Sequence, residues 1–187
     1  MCSEKNFPQG LLAEEACLSY NNFIICICIN TVRYLIVRKS RIDACSMPVR
    51  NAEATWEGGL QDGNGSVELE SGAYEGPYSF QSRFEEGTGT NPEELIGAAE
   101  AGCFSMALSM LLEENDHAPE RIHTEAAVRL EQVDGDFAIT SIELDTEGAV
   151  PEIDQSTFTE YAQEAKENCP VSKALEGTDI TVNTMLV

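Results

Sequence analysis

Cysteine is almost missing from most of this chain. Beyond residue 46 only Cys103 and Cys169 occur, while Cys2, Cys17, Cys26, Cys28 and Cys45 crowd the first 46 residues. Two thiols in the longer part exclude a disulfide scaffold there. Histidine is equally scarce: His117 and His123 are the only two, and neither stands at a ligand spacing from the cysteines, so no metal site is expected. Basic residues are few as well. Residues 47–187 hold six Lys/Arg, two of them lysines (Lys166 and Lys173), against 29 Asp/Glu, a net charge of −23. Such a surface repels nucleic acid and anionic membranes. No long apolar run offsets this. The stretch 23–37 is interrupted by Asn30, Thr31 and Arg33 and falls short of the ~20 residues that span a bilayer. The segment before it carries Glu4, Glu14 and Glu15 against Lys5, with no small-x-small cleavage site at the right distance, and so does not read as a signal peptide.

The charge breaks abruptly near Met47-Pro48-Val49-Arg50, since residues 1–46 carry five Lys/Arg against four Asp/Glu. The expectation is a non-homologous N-terminal extension over 1–46, either a mis-called start upstream of Met47 or a disordered tail, and one domain over 47–187. Cys26-Ile27-Cys28 would share a strand face, but no second ligand pair follows. Acidic residues are spread over every segment of 47–187 rather than gathered in a tail. That self-repulsion is relieved by salt, and it points to a salt-rich cytoplasm of the halophilic kind.

Local signals place the elements. Residues 52–57 and 67–70 read as strands around the turn residues Asp62-Gly63-Asn64-Gly65. Residues 78–84 alternate with aromatics on one face and read as a third strand. Asn91-Pro92-Glu93-Glu94 announces a helix to about residue 114, with Asn91 as N-cap, Pro92 in first position and Glu94 completing a capping box. That helix is apolar around nearly its whole circumference and should be buried. Two strands, 122–133 and 137–147, are joined by Asp134-Gly135-Asp136; then come a helix over about 155–168, a short helix from Pro170 and a strand over 179–186. Hairpins dominate, so the expected class is α+β with mostly antiparallel sheets. A helix apolar all round is hard to cover within 141 residues, which implies a homodimer whose sheets wrap both copies.

Two readings of Cys103 stand open. A free cysteine in an apolar helix is commonly core filler with a raised pKa. It is a nucleophile if a cation stabilises its thiolate. Arg83 is the only Lys or Arg between Arg50 and Arg121, and a close guanidinium in a dry site lowers a pKa by about one to three units. Arg83 alternatively pairs with Glu85 or Glu86 on the surface. Glu100, three residues before Cys103, acts in the opposite sense to a cation. Cys169 precedes Pro170 at the start of a helix, where free N–H groups and the dipole favour a thiolate, and Lys173 lies one turn on. Those features suit a resolving thiol.

The stretches Phe80-Gln81-Ser82-Arg83-Phe84, Gly89-Thr90-Asn91-Pro92-Glu93-Glu94-Leu95-Ile96-Gly97 and Ala101-Gly102-Cys103-Phe104-Ser105-Met106 resemble the signature of the OsmC/Ohr family, the osmotically inducible and organic hydroperoxide resistance proteins. Asn168-Cys169-Pro170-Val171-Ser172 resembles its second cysteine motif, while Thr55-Trp56-Glu57-Gly58 and Ala149-Val150-Pro151-Glu152-Ile153-Asp154 point to the OsmC branch. The resemblance covers about residues 47–187. It implies an intertwined homodimer and a thiol peroxidase with no cofactor. Cys103 would be the peroxidatic nucleophile, Cys169 the resolving thiol, and Arg83 with Glu93 the organisers of the site. Ten residues separate Glu93 from Cys103, ~15 Å along a helix. Arg83 must therefore bridge them on a mobile loop, or Glu93 must come from the partner subunit.

The expected substrate is an organic hydroperoxide against an apolar wall of Phe80, Phe84, Ile96, Met106 and Met110, with hydrogen peroxide reduced less efficiently. The expected reductant is an external dithiol, of lipoyl type, and the expected role is oxidative and osmotic stress defence in the cytoplasm. A redox sensor or binding module using the same thiols without turnover is the competing class.

Overall fold

The structure is a computed structural model. It describes residues 48–187 and, before them, the backbone of three strands. Those strands, β1 (Glu15–Tyr20), β2 (Phe23–Cys28) and β3 (Tyr34–Arg38), form an antiparallel sheet in the order β1-β2-β3. They belong to one compact unit, Met1–Arg50; the remainder, Asn51–Val187, is a second. The expectation for the Cys26 and Cys28 side chains lies outside the described residues.

The second unit begins with an antiparallel meander of β4 (Ala52–Glu57), β5 (Asn64–Leu69) and β6 (Glu75–Ser79). Asn64 and Gly65, expected in the turn, already pair with Glu57 and Trp56. The turn closes earlier, where Gly63 N–H donates to the Gly59 carbonyl at 2.8 Å. A Cβ on Gly63 would stand 2.3 Å from that same oxygen, so only glycine fits.

Residues 80–84 are not a strand. Phe80–Phe84 is a short helix, α1, capped by a reciprocal pair: Ser79 Oγ accepts from Ser82 N–H, and Ser82 Oγ accepts from Ser79 N–H. Phe80 and Phe84 lie four apart, so aromatic alternation over so short a window fits a helical period as well as a strand's. The two serines decide between them.

α2 (Pro92–Glu114) starts where its N-cap chemistry predicts, with Asn91 Oδ1 accepting from Glu94 N–H at 2.8 Å. The expected box is half made, because the Glu94 carboxylate accepts from the Thr90 hydroxyl instead of the Asn91 N–H. By length and composition α2 could cross a bilayer. Its packing against strands and helices, and its buried Glu93 and Glu100, make it the spine of this unit instead.

Next comes a long hairpin, β7 (Arg121–Val133) and β8 (Asp136–Ala149), paired from Arg121↔Ala149 to Val133↔Asp136. Its two-residue turn, Asp134 and Gly135, has both φ values positive (53° and 97°), the geometry that suits a right-twisted hairpin. α3 (Gln155–Asn168), capped by Asp154, and α4 (Pro170–Ala174) lead to β9 (Asp179–Leu186). β9 pairs with β8 in parallel, Ser141↔Asp179 to Gly148↔Leu186. The α3–α4 segment is thus a crossover between the one parallel pair of strands; the other strand pairs are antiparallel among the described residues, and Tyr78 and Thr90 add an isolated parallel bridge.

The core forms where Phe104, Leu108 and Leu112, one α2 stripe at i+4 spacing, meet Ile142 and Leu144 of β8 and Phe158, Ala162 and Ala165 of α3. Gly148 makes room for Phe158, whose ring a Cβ there would meet at 2.4 Å. The opposite stripe of α2 is open within this chain: Ala98, Ala99 and Gly102 are exposed, Met106 is 77% exposed and Met110 54%. The expectation is of a helix too apolar to be covered within one subunit, and among the described residues one copy covers only one face of it. One face has a core beneath it and the other, equally apolar, has none.

Candidate active site

The residues singled out by sequence fall into two groups along α2. At its first turn, Arg83 at the end of α1 donates Nε and Nη2 to one Glu93 oxygen, Oε1, at 3.2 and 2.8 Å. The Arg83 side chain is 36% exposed and that of Glu93 10%. Glu93 Oε2 is buried and has no hydrogen-bond partner among the described residues. The guanidinium also lies 5.2 Å from the centre of the Phe84 ring, which stacks on Phe80 at 4.8 Å. Arg83, Phe80 and Phe84 share a pocket of about 260 Å³ with Trp56, Leu60 and Tyr78. Arg83 therefore pairs with Glu93 rather than with Glu85 or Glu86.

The thiols meet further along the helix. Cys103 is half-buried on α2, and Cys169 is fully buried at the N-cap of α4; both are free. The α3 helix hands its last main-chain bond to Cys169, whose N–H donates to Ala165 at 2.8 Å. Pro170 then sets the first helical position of α4 without an N–H to satisfy. Burial pushes the Cys103 thiol above its ordinary value of 9.0. The nearby Cys169 side chain pushes the same way, the Val171 main chain pulls it down, and the charges of Cys169 and Glu100 raise it further. Glu100 is fully buried beside them, its Oε1 accepting from Ser172 Oγ at 2.5 Å.

Within one chain the structure brings Arg83 to Glu93 and Cys103 to Cys169, but it does not bring the pairs together. Arg83 is absent from the groups that act on Cys103, and the thiol is raised rather than lowered. Within a single copy Arg83 therefore does not bridge Glu93 and Cys103, the first of the two arrangements the ten-residue spacing leaves open. One continuous helix separates Glu93 from Cys103 by ~15 Å, and the Arg83–Glu93 fork holds Arg83 at the far end. The expected apolar wall is divided in the same way. Phe80 and Phe84 line the Arg83 pocket, Ile96 packs against the core, and Met106 and Met110 lie on the open face of α2.

Sequence reasoning missed Ser172 as a partner. A lone serine in a short helix carries no signal of its own, and only its place three residues after Cys169, matching that of Glu100 three residues before Cys103, hints at the contact.

An α+β unit built on one long helix, with two thiols meeting between that helix and a short capped turn, defines a class of thiol-bearing protein, and comparison shows which. Residues 85–184 match the family described as OsmC-like protein. This chain belongs to the OsmC-like family. It is similar to peroxiredoxin OsmC of Escherichia coli (strain K12), 51% identical over 138 residues that cover 73% of this chain and 96% of that protein. It is also similar to an organic hydroperoxide resistance protein-like protein of Staphylococcus aureus (strain COL), 33% identical over 104 residues, 54% of this chain and 74% of that one. Among solved structures, the organic hydroperoxide resistance protein OhrB of Bacillus subtilis matches with a TM-score of 0.58 at 27% identity, over 72% of this chain and 98% of that one. One from Elizabethkingia anophelis, with a TM-score of 0.60 at 22% identity over 75% and 99%, shares the fold.

Proposed function

We propose that this chain is a thiol-dependent peroxidase that reduces organic hydroperoxides, and hydrogen peroxide less efficiently, in oxidative and osmotic stress defence. The observation that carries the reading is that Cys103 and Cys169, the two thiols of an otherwise thiol-free unit, lie on the packed elements α2 and α4 close enough to act on each other. The names of its relatives, a peroxiredoxin and organic hydroperoxide resistance proteins, support it.

The Cys103 thiolate attacks the distal oxygen of ROOH. The O–O bond breaks, the alkoxide leaves and takes up a proton as ROH, and Cys103 is left as a sulfenic acid. The Cys169 sulfur then attacks the Cys103 sulfur. The S–O bond breaks, hydroxide leaves with the Cys169 proton as water, and a disulfide joins the two. An external dithiol, of lipoyl type, restores both thiols by exchange.

Thiolate formation is favoured by a cation, and among the described residues none of the same copy acts on Cys103. The reading therefore includes a homodimer in which Arg83 and Glu93 of one copy stand at Cys103 of the other. The open, apolar face of α2 supports it, as does the half-exposed guanidinium held by Glu93. In that arrangement Arg83 stabilises both the thiolate and the charge that develops as the O–O bond breaks. Glu93 orients it through a charge-assisted bond. Phe80 and Phe84 from one copy, with Ile96, Met106 and Met110 from the other, supply the apolar wall.

The test is steady-state peroxide consumption with an organic hydroperoxide and with hydrogen peroxide, each with a lipoyl dithiol and with a monothiol. Multiple turnovers with the dithiol, faster for the organic substrate, are expected. A single stoichiometric oxidation would make the protein a redox sensor instead.

A further inference from the structure

The chemistry above makes no use of Glu100, although its carboxylate is fully buried with a single hydrogen-bond partner. That partner, Ser172 Oγ, donates to Oε1 at 2.5 Å, and Oε2 has none among the described residues. The bond joins two particular turns. Glu100 lies three residues before Cys103 on α2, and Ser172 three residues after Cys169 on α4. With only five residues, α4 is too short to be stable through its own main-chain bonds. Nor does the Cys169 side chain make a capping bond that would fix the turn. A buried hydrogen bond is a strong tether in such a place.

We propose that Glu100 is a positioning residue for the resolving step, its bond from Ser172 docking the turn that carries Cys169 against the turn that carries Cys103. The peroxidase reading above names that step, in which the S–S bond forms as the S–O bond of the sulfenic acid breaks and water leaves. The docking itself holds for any oxidation that joins the two thiols. Glu100 has a second, opposing effect. The groups that act on Cys103 are Cys169, the Val171 main chain and Glu100, and the Glu100 charge works against the thiolate. The residue thus favours closure of the disulfide while opposing ionisation of its nucleophile, and substitution separates the two. Glu100→Gln keeps an acceptor for Ser172 and removes the charge. Glu100→Ala removes both, and Ser172→Ala removes the donor alone.

The full-length protein is equilibrated with reduced and oxidised glutathione. The Cys103–Cys169 disulfide is quantified by peptide mapping, which ignores the five N-terminal cysteines and gives the effective molarity of the pair. Native protein and Glu100→Gln should agree within about threefold, while Glu100→Ala and Ser172→Ala should fall by about tenfold or more. Ser172→Thr, which keeps the hydroxyl, should restore the native value and guards against a general folding defect. In parallel, the alkylation midpoint of Cys103 should drop below the native value in Glu100→Gln and stay at the native value in Ser172→Ala. Unchanged effective molarity in both alanine variants would overturn the proposal, as would a Gln variant as poor as Ala. Because glutathione replaces peroxide, a protein that failed to turn over peroxide would leave this result standing.

Discussion

At the scale of single residues, the Cys103 thiol is held high by burial, by Cys169 and by Glu100, and the proposed function has a cation from a partner subunit favour its ionisation. Arg83 is the residue proposed to bring it. Arg83→Ala should leave Cys103 with an alkylation midpoint above its ordinary 9.0, whereas the native protein should show a lower one. Peroxide reduction near pH 7 should then fall by about tenfold for each unit by which the midpoint rises. Arg83→Lys should recover part of the rate, since an ammonium cannot reproduce the planar pair of donors that converge on Glu93 Oε1. Iodoacetamide alkylation against pH, followed by peptide mapping, makes the measurement. Equal midpoints in all three forms would remove Arg83 from the site. Both thiols stood out by residue type and spacing and Arg83 by its isolation, while its pairing with Glu93 came only from the family resemblance, because the residues alone also allowed Glu85 or Glu86. Ser172 was not, because a hydroxyl acquires meaning only from the buried carboxylate that the fold sets against it.

At the scale of elements, the helix ends carry clear instructions. Asp154 caps α3, and its carboxyl is held down to about 2, first by the Thr157 main-chain N–H and then by the Ser156 hydroxyl. A carboxyl lowered from 3.8 on folding contributes stability that is complete above that value and lost as pH falls towards 2. Asp154→Ala should therefore lower the Tm at neutral pH, and its deficit should shrink as pH falls from about 4 to about 2. Melts across that range check it, and a constant deficit would show that the charge adds nothing. Asn91-Pro92, Asp134-Gly135 and Cys169-Pro170 were readable because each acts within one turn of chain. Residues 80–84 were misread because two phenylalanines four apart satisfy both periods, and the Ser79–Ser82 pair chose the helix. The parallel β8–β9 pairing depends on α3 and α4 crossing the sheet, a long-range outcome that no local pattern contains.

At the scale of the molecule, two properties ask for company. The open α2 face, with Met106 and Met110 at its centre, has the character of a core without a cover. Met106→Glu should shift the protein from dimer to monomer in sedimentation and reduce peroxidase activity together with association. Full activity as a monomer would place Arg83 and Cys103 of one chain in contact after all. The other property is charge, −22 for the chain. Among the described residues only Arg83–Glu93 and Arg121–Glu147 pair a carboxylate with an arginine or lysine, so most carboxylates face like neighbours. The Tm should rise with KCl, most steeply at low concentration, because the screening length falls from ~10 Å at 0.1 M to ~3 Å at 1 M. A further rise beyond 1 M would come from excluded-salt strengthening of apolar burial. A flat Tm from 0.05 to 3 M would end the salt-adapted reading and leave the thiol chemistry intact.

The central claim is that Cys103 is oxidised by peroxide and Cys169 resolves it. One equivalent of tert-butyl hydroperoxide, followed by rapid alkylation and peptide mapping, tests it most directly. The native protein should yield the Cys103–Cys169 disulfide. Cys169→Ser should consume the equivalent and stop at a Cys103 sulfenic acid that dimedone traps, and Cys103→Ser should consume none. Peroxide consumption by Cys103→Ser, or a native product lacking the Cys103–Cys169 bond, would contradict the account.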